Sequence, residues 1–405
     1  MAGTNLGHWL AVSMTVSGLL WWPSLNGQPV AASGTGQNAN ASHSNRDLVT
    51  ALAAAGPHPS LGEKANVFGR FVGTWDVEYN MFTEDGKATR SYGEVIAGWV
   101  MGGHALQDLF ISYPKEKNKE RVIGTTIRYV DPKSGTWRVI FIAPQFDYVR
   151  RLTGGPAGDD RIVLRGQDPD GTELRWSFND IRHDAFVWRG EKSRDRGKTW
   201  WMEEEHHFMR RSTIGDGRRD MITALESTGP NPSLGNQAMV FGRFEGTWDV
   251  DYGEFSKDGK AVHYPGQLIG GWVLDGHVFQ DLFVADPNAP GAERTMGTTL
   301  RYFDNASGKW RVVYVEPPSD TVVELTGGQE GGRLVLYSEG SQGSKLRWSF
   351  SEIKEDSFTW RGEMSRDGGK TWQLMEEHHM KRRPLRAPEQ ARSRKQDPLS
   401  SFSRW

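Results

Sequence analysis

From residue 71 onward, apolar and polar residues alternate. Ten runs carry this two-residue rhythm, at 71–82, 91–101, 104–113, 121–130, 136–143, 147–154, 161–166, 173–181, 185–193 and 198–211. Short turn sequences separate them, such as Glu84-Asp-Gly-Lys87, Asp131-Pro-Lys-Ser-Gly135 and Asp168-Pro-Asp-Gly171. A period of two sends successive side chains to opposite faces, as strands lying on a core require. No helical pattern separates the runs, so sequence neighbours pair antiparallel. Ahead of them Leu61, Ala65, Phe68 and Phe71 lie on one helical stripe, and Ser60 with Glu63 has capping-box spacing. The pattern predicts a short helix acting as lid or plug, then a meander of ten strands. Closing the meander as an up-and-down barrel removes its edges and leaves a cavity. A flat sandwich is the alternative.

The whole pattern is written twice. The segment beginning at Asp47 returns 173 residues later at Asp220, and the parallel runs on to Glu204-Glu205-His206-His207 and Glu376-Glu377-His378-His379. Solenoids repeat every 20 to 50 residues or so, whereas this unit is large enough to bury its own core. The fold class expected is therefore all-β, with two tandem antiparallel barrels at 47–211 and 220–383, joined by a linker at 212–219. Residues 33–46 read as a disordered linker and 384–405 as a disordered basic tail. The first 32 residues carry no Asp, Glu, Lys or Arg, and the apolar run Trp9–Trp22 is too short to span a bilayer. With Val30 and Ala32 fitting the small-residue rule, residues 1–32 are expected to be a signal peptide, although the n-region lacks a basic residue. A secreted or periplasmic protein follows, or a cytoplasmic one if the leader does not act.

Composition narrows the partners. A net charge of −2 gives no electrostatic case for nucleic acid. The absence of cysteine rules out disulfides and thiolate chemistry. Seventeen tryptophans concentrate the apolar content in large rings, which suits a barrel interior.

A short helix leading into Phe71-Val-Gly-Thr-Trp75-Asp-Val, and again Phe244-Glu-Gly-Thr-Trp248-Asp-Val, resembles the first strand of lipocalin-like calycin barrels. With the later Trp-Arg-Gly-Glu and Asp-Gly-Gly-Lys-Thr-Trp, each unit is similar to uncharacterised bacterial lipocalin-like families. The resemblance implies a barrel that binds a small apolar ligand, with isomerase, cyclase or hydratase chemistry in a minority of the superfamily.

Several motifs carry less than they promise. Ser193–Trp200 and Ser365–Trp372 match the Asp-box of sialidase-like propellers, but propellers need many boxes at blade spacing. They read as hairpin turns. Gly197-Lys198-Thr199 imitates a P-loop without its first glycine or following helix. In the last strand, alternation groups Trp200, Met202, Glu204, His206 and Phe208 inward, and Trp201, Glu203, Glu205 and His207 outward. Adjacent histidines then cannot share an ion, and neither a metal nor a cofactor is expected. Ligand-binding candidates are Trp99, Trp188, Glu204 and His206, with Trp272, Trp360, Glu376 and His378 in the second copy. The rings would supply contact area and the Glu-His pair would orient a polar end. The rival reading is an enzyme using His104, Asp108, Glu204 and His206, or His277, Asp281, Glu376 and His378, as acid/base groups. Repeated arginines beside tryptophans leave open which set lines the lumen. The leading expectation is an exported tandem barrel that binds a small apolar or amphipathic molecule without catalysis, its two barrels packed on each other.

Overall fold

A computed structural model describes residues 45–114, 119–212, 217–255, 259–286, 294–340 and 343–384. The leader, nearly all of the 33–46 segment and the tail beyond Arg383-Pro384 lie outside the described residues. The first barrel comprises β1 (Gly73–Phe82), β2 (Ala88–Val100), β3 (Ala105–Tyr113), β4 (Val122–Val130), β5 (Trp137–Ala143), β6 (Tyr148–Pro156), β7 (Ile162–Gln167), β8 (Glu173–Asn179), β9 (Ala185–Ser193) and β10 (Trp201–Arg210). The second comprises β11 (Gly246–Phe255), β12 (Ala261–Val273), β13 (Val278–Ala285), β14 (Thr295–Asp304), β15 (Lys309–Glu316), β16 (Thr321–Glu330), β17 (Arg333–Glu339), β18 (Lys345–Ser351), β19 (Ser357–Ser365) and β20 (Gln373–Arg382). Each set pairs in sequence order, antiparallel throughout, and closes first strand to last. The expected architecture is present, and closure leaves no unpaired edge.

Each barrel is stoppered at one end. A 3-10 turn at Pro59–Lys64 runs into a short α-helix, Ala65–Gly69, and the second copy repeats this at Pro232–Gln237 and Ala238–Gly242. The capping box is not what starts the turn: the His58 ring and the Asn231 carboxamide accept the Ser60 and Ser233 amides instead. Phe68 packs edge-on against Trp137 and Phe178, and Phe71 lies against Phe186. Truncating either phenylalanine to alanine would cost about 3–5 kcal/mol.

Two further helices were not expected. Residues 45–52 are helical, taking in the last two residues assigned to the linker, and so is Gly217–Leu225. They sit between the barrels. Leu48, Val49, Leu52, Met221 and Leu225 join the outward faces of β2–β5 and β12–β15 in one buried cluster. Residues 45–52 strap both units: the Asn45 side chain donates to the Ser227 carbonyl and accepts the Trp272 amide at 2.6 Å, while Ala53 bridges Val100. The strapping is reciprocal, since Gly217–Leu225 lies over the first barrel and Glu226 bridges Val273. Around the apolar centre, Tyr129 donates to Asp320 at 2.8 Å and Tyr302 to Asp147 at 3.0 Å, with Arg138 and Arg311 joining the same carboxylates. This self-complementary pattern is the signature of a twofold interface, here within one chain.

Candidate functional site

Strand register settles which residues line the lumen. Trp75, Val77, Tyr79 and Met81 stand opposite Arg210, Phe208, His206 and Glu204. Because opposed residues share a face, Glu204 and His206 point inward with the buried Trp75 and Val77, as do Glu376 and His378 opposite Glu254 and Tyr252. The repeated arginines divide. Arg128 and Arg301 are inside, as is the unrepeated Arg150, whereas Arg175 and Arg189 bind Glu191 and Glu205 on the outer wall.

The half of the lumen nearest the plug is filled. Trp99 and Trp272 lie under the plug helices, so close that a Cβ on Gly69 would meet the Trp99 ring at 3.0 Å and one on Gly242 the Trp272 ring at 3.3 Å. Both rings are buried against the plug, Trp99 at 7% exposure and Trp272 at 1%. Below them a buried ion pair joins Arg128 to Asp108, and Arg301 to Asp281 at 2.5 Å.

The opposite half holds the Glu-x-His strand. His206 is ringed by Tyr79, Phe110 and Trp188 at centroid distances of 5.1, 5.5 and 4.6 Å, and its Nε2 meets Glu204 at 2.9 Å. Burial by itself would raise the Glu204 carboxyl, but His206, Arg150 and Lys192 outweigh it and hold the group below its ordinary value. A bulge in β10 between Met202 and Glu204 breaks the alternation. In consequence Glu203, expected outward, ion-pairs with the inward Lys192 at 2.6 Å and with Arg150 at 3.4 Å. Arg150 also binds Asp168 at 3.0 Å. Trp200, expected inward, instead lies outside, where the Arg175 guanidinium stacks 4.2 Å from its ring.

In the second barrel His378 keeps the ring, with Tyr252, Phe283 and Trp360 at 4.6, 5.4 and 4.4 Å. The charged neighbours change. Val323, Met364 and Met375 replace Arg150, Lys192 and Glu203, and Glu254 and Glu316 replace Met81 and Ala143. Burial pushes the His378 imidazole below its usual value, opposed by Glu376.

The four-residue acid/base set does not assemble. Asp108 and Asp281 are held by their arginines. His104 caps the turn at Met101–Gly103 and stacks on His58 at 4.0 Å. His277 faces the barrel interface, 2.9 Å from Glu120. Each histidine lies one residue before its strand begins, at Ala105 or Val278, so strand alternation does not set where it points. Only the Glu-His pairs of the last strands face each other in the lumen. Among the described residues no three His, Asp or Glu side chains are grouped to hold a metal ion, and no helix is long and apolar enough to cross a membrane.

Two clefts are grooves on the barrel walls, one of about 510 Å3 between Asp180–Arg182 and His207–Met209 and a smaller one between Asp249–Asp251 and His379–Lys381. The Asp-boxes prove to be the β9–β10 and β19–β20 hairpins: Ser193 Oγ accepts the Gly197 amide at 2.8 Å, and Asp195 accepts from Thr199, whose hydroxyl and amide lower its pKa to about 2.

No protein-family model and no curated protein sequence matches the chain. Among solved structures it is similar to an S-type phycobiliprotein lyase from Guillardia theta, at 10% identity and a TM-score of 0.29 over 36% of this chain and 91% of that one. It is similar also to a redesigned beta barrel, at 12% identity and a TM-score of 0.21 over 40% of this chain and 100% of that one. A DUF3598-family protein of unknown function from Nostoc punctiforme matches at 11% identity and a TM-score of 0.20, over 78% of this chain and 97% of that one.

Proposed function

We propose that the chain is an exported binding protein of the lipocalin-like kind, whose barrels each take a small apolar or amphipathic molecule into the half of the lumen away from the plug. The apolar body would lie against Trp188, Tyr79 and Phe110, or Trp360, Tyr252 and Phe283, with its polar end toward Glu204 and His206 or Glu376 and His378. One observation carries the reading: both copies place a carboxylate and an imidazole inside the barrel within a ring of aromatic side chains. Burying the imidazoles, His206 and His378, costs free energy that a purely structural lumen would avoid with apolar residues. Export rests on the N-terminal apolar run alone, and sequencing the mature N-terminus for a start after Ala32 tests it separately.

The binding experiment is native mass spectrometry of the full chain purified from its own source. A co-purified small molecule is expected, displaced or weakened in Trp188→Ala and Trp360→Ala. A ligand-free protein whose tryptophan emission is unchanged by apolar and amphipathic probes would overturn the proposal.

A further inference from the structure

The duplicated sites have parted chemically, and the second has become anionic. In the first barrel the carboxylates Asp168, Glu203 and Glu204 stand among Arg150, Lys192 and His206. In the second, Glu254, Glu316 and Glu376 stand on the lumen face, Glu254 exposed and the Glu376 side chain 42% exposed, and the positions of both cations are occupied by Val323 and Met364. Glu254 and Glu376 are direct cross-strand partners, an arrangement of like charges that destabilises a sheet. All three carboxylates act on the Tyr252 hydroxyl, and Glu316 accepts from Tyr314 at 2.5 Å, so the acids converge on one aromatic wall.

An independent observation points to what is missing. His378 is 7% exposed, faces the lumen, and its buried Nε2 makes no hydrogen bond among the described residues. Glu376 Oε2 stands 3.4 Å away without hydrogen-bond geometry. In the tautomer that carries its proton on Nδ1, the His378 Nε2 and the Glu376 carboxylate both accept, and one donor placed between them satisfies both. A protonated amine supplies N–H groups to both, offsets the Glu254–Glu376 repulsion, and suits the faces of Tyr252, Trp360 and Phe283.

We propose that the second barrel binds a hydrophobic ammonium compound, a protonated primary or secondary amine on an apolar or aromatic body, and that the first barrel does not share this preference. The inference rests on the lumen being a binding site, as proposed above.

Titration calorimetry of the full chain at low ionic strength would use three near-isosteric probes: 3-phenylpropylammonium, 3-phenylpropanol and 3-phenylpropionate. The ammonium is expected to bind at least about tenfold more tightly than the alcohol, with the carboxylate weakest, and Glu376→Gln should lower that affinity about tenfold. Glu254→Gln should act in the same direction, guarding against a single variant that misfolds. Glu355→Gln removes the same charge from the exposed β18–β19 turn and should change affinity less than twofold or so. Alcohol or carboxylate binding as tightly as the ammonium would overturn the amine preference and leave the binding reading standing. Failure of all three probes to bind would overturn both.

Discussion

Glu245 shows how a single side chain records the divergence of the two copies. It stands where the first copy has Val72, one carboxylate oxygen is buried without a partner, and burial raises its pKa to about 7 against the pull of Arg382. A carboxyl raised in the folded state favours the protonated form, so its penalty is absent below the unfolded value of about 4.3 and complete above the folded one. Glu245→Val should therefore stabilise the protein at pH 8 by roughly 2–3 kcal/mol, and the gain should fade between pH 7 and 4. Urea titrations across that range check this, and a gain independent of pH would refute the account. At this scale the sequence was partly legible. Parity placed Glu204 and His206 correctly because β10 is regular beyond its bulge, yet it misplaced Trp200, Trp201 and Met202, which precede the bulge, and Glu203, which forms it. A bulge is set by backbone conformation and leaves little trace in an apolar-polar pattern. His104 and His277 were misread for a related reason: they belong to turns with left-handed residues, Met101 in one and Leu274 and Asp275 in the other, rather than to the strands that follow.

Within a barrel, the element that shapes the candidate site is β9 and its counterpart β19. Gly190 and Gly362 face inward, and the ring of the tryptophan two residues earlier folds over each: an added Cβ would meet Trp188 at 2.7 Å and Trp360 at 2.8 Å. Both contacts are below the separation side chains tolerate, so Gly362→Ala must turn the Trp360 ring into the lumen. We expect a changed near-ultraviolet dichroism signal, a loss of about 1–3 kcal/mol in stability, and weaker binding in the second barrel with the first unaffected. Unaltered dichroism and affinity would show that the ring is free to move. The strands and plug helices were legible because alternation and the Leu61–Phe71 stripe each carry a clear period. Helix 45–52 was not recognised, although Leu48, Val49 and Leu52 have helical spacing, since a short amphipathic segment gains its stability from a partner surface invisible in one chain's local pattern.

Across the whole molecule, the apolar faces of β2–β5 and β12–β15 share one buried cluster, from which we expect the two barrels to unfold together. Asp320 takes hydrogen bonds from both Tyr129 and Arg138 across the interface. Asp320→Ala should cost about 1–3 kcal/mol by stranding the Tyr129 hydroxyl, lowering Tm while leaving a single calorimetric transition. Two separate transitions in the parent protein would mean that the barrels unfold independently. The tandem organisation was plain from the repeat, but the interface was not, because the outward isoleucines of β4 and β5 look the same in sequence whether they meet a helix or another barrel. That interface also changes what substitution can achieve. Two identical subunits related by a twofold axis must carry every change in duplicate, so a charge altered in one cavity alters both. Joined in a single polypeptide, the halves can hold their shared seam fixed while Val323 and Met364 stand in one lumen against Arg150 and Lys192 in the other. One molecule can thus hold two unlike lumens at a fixed separation, an asymmetry that a symmetric pair of identical chains has no means to encode.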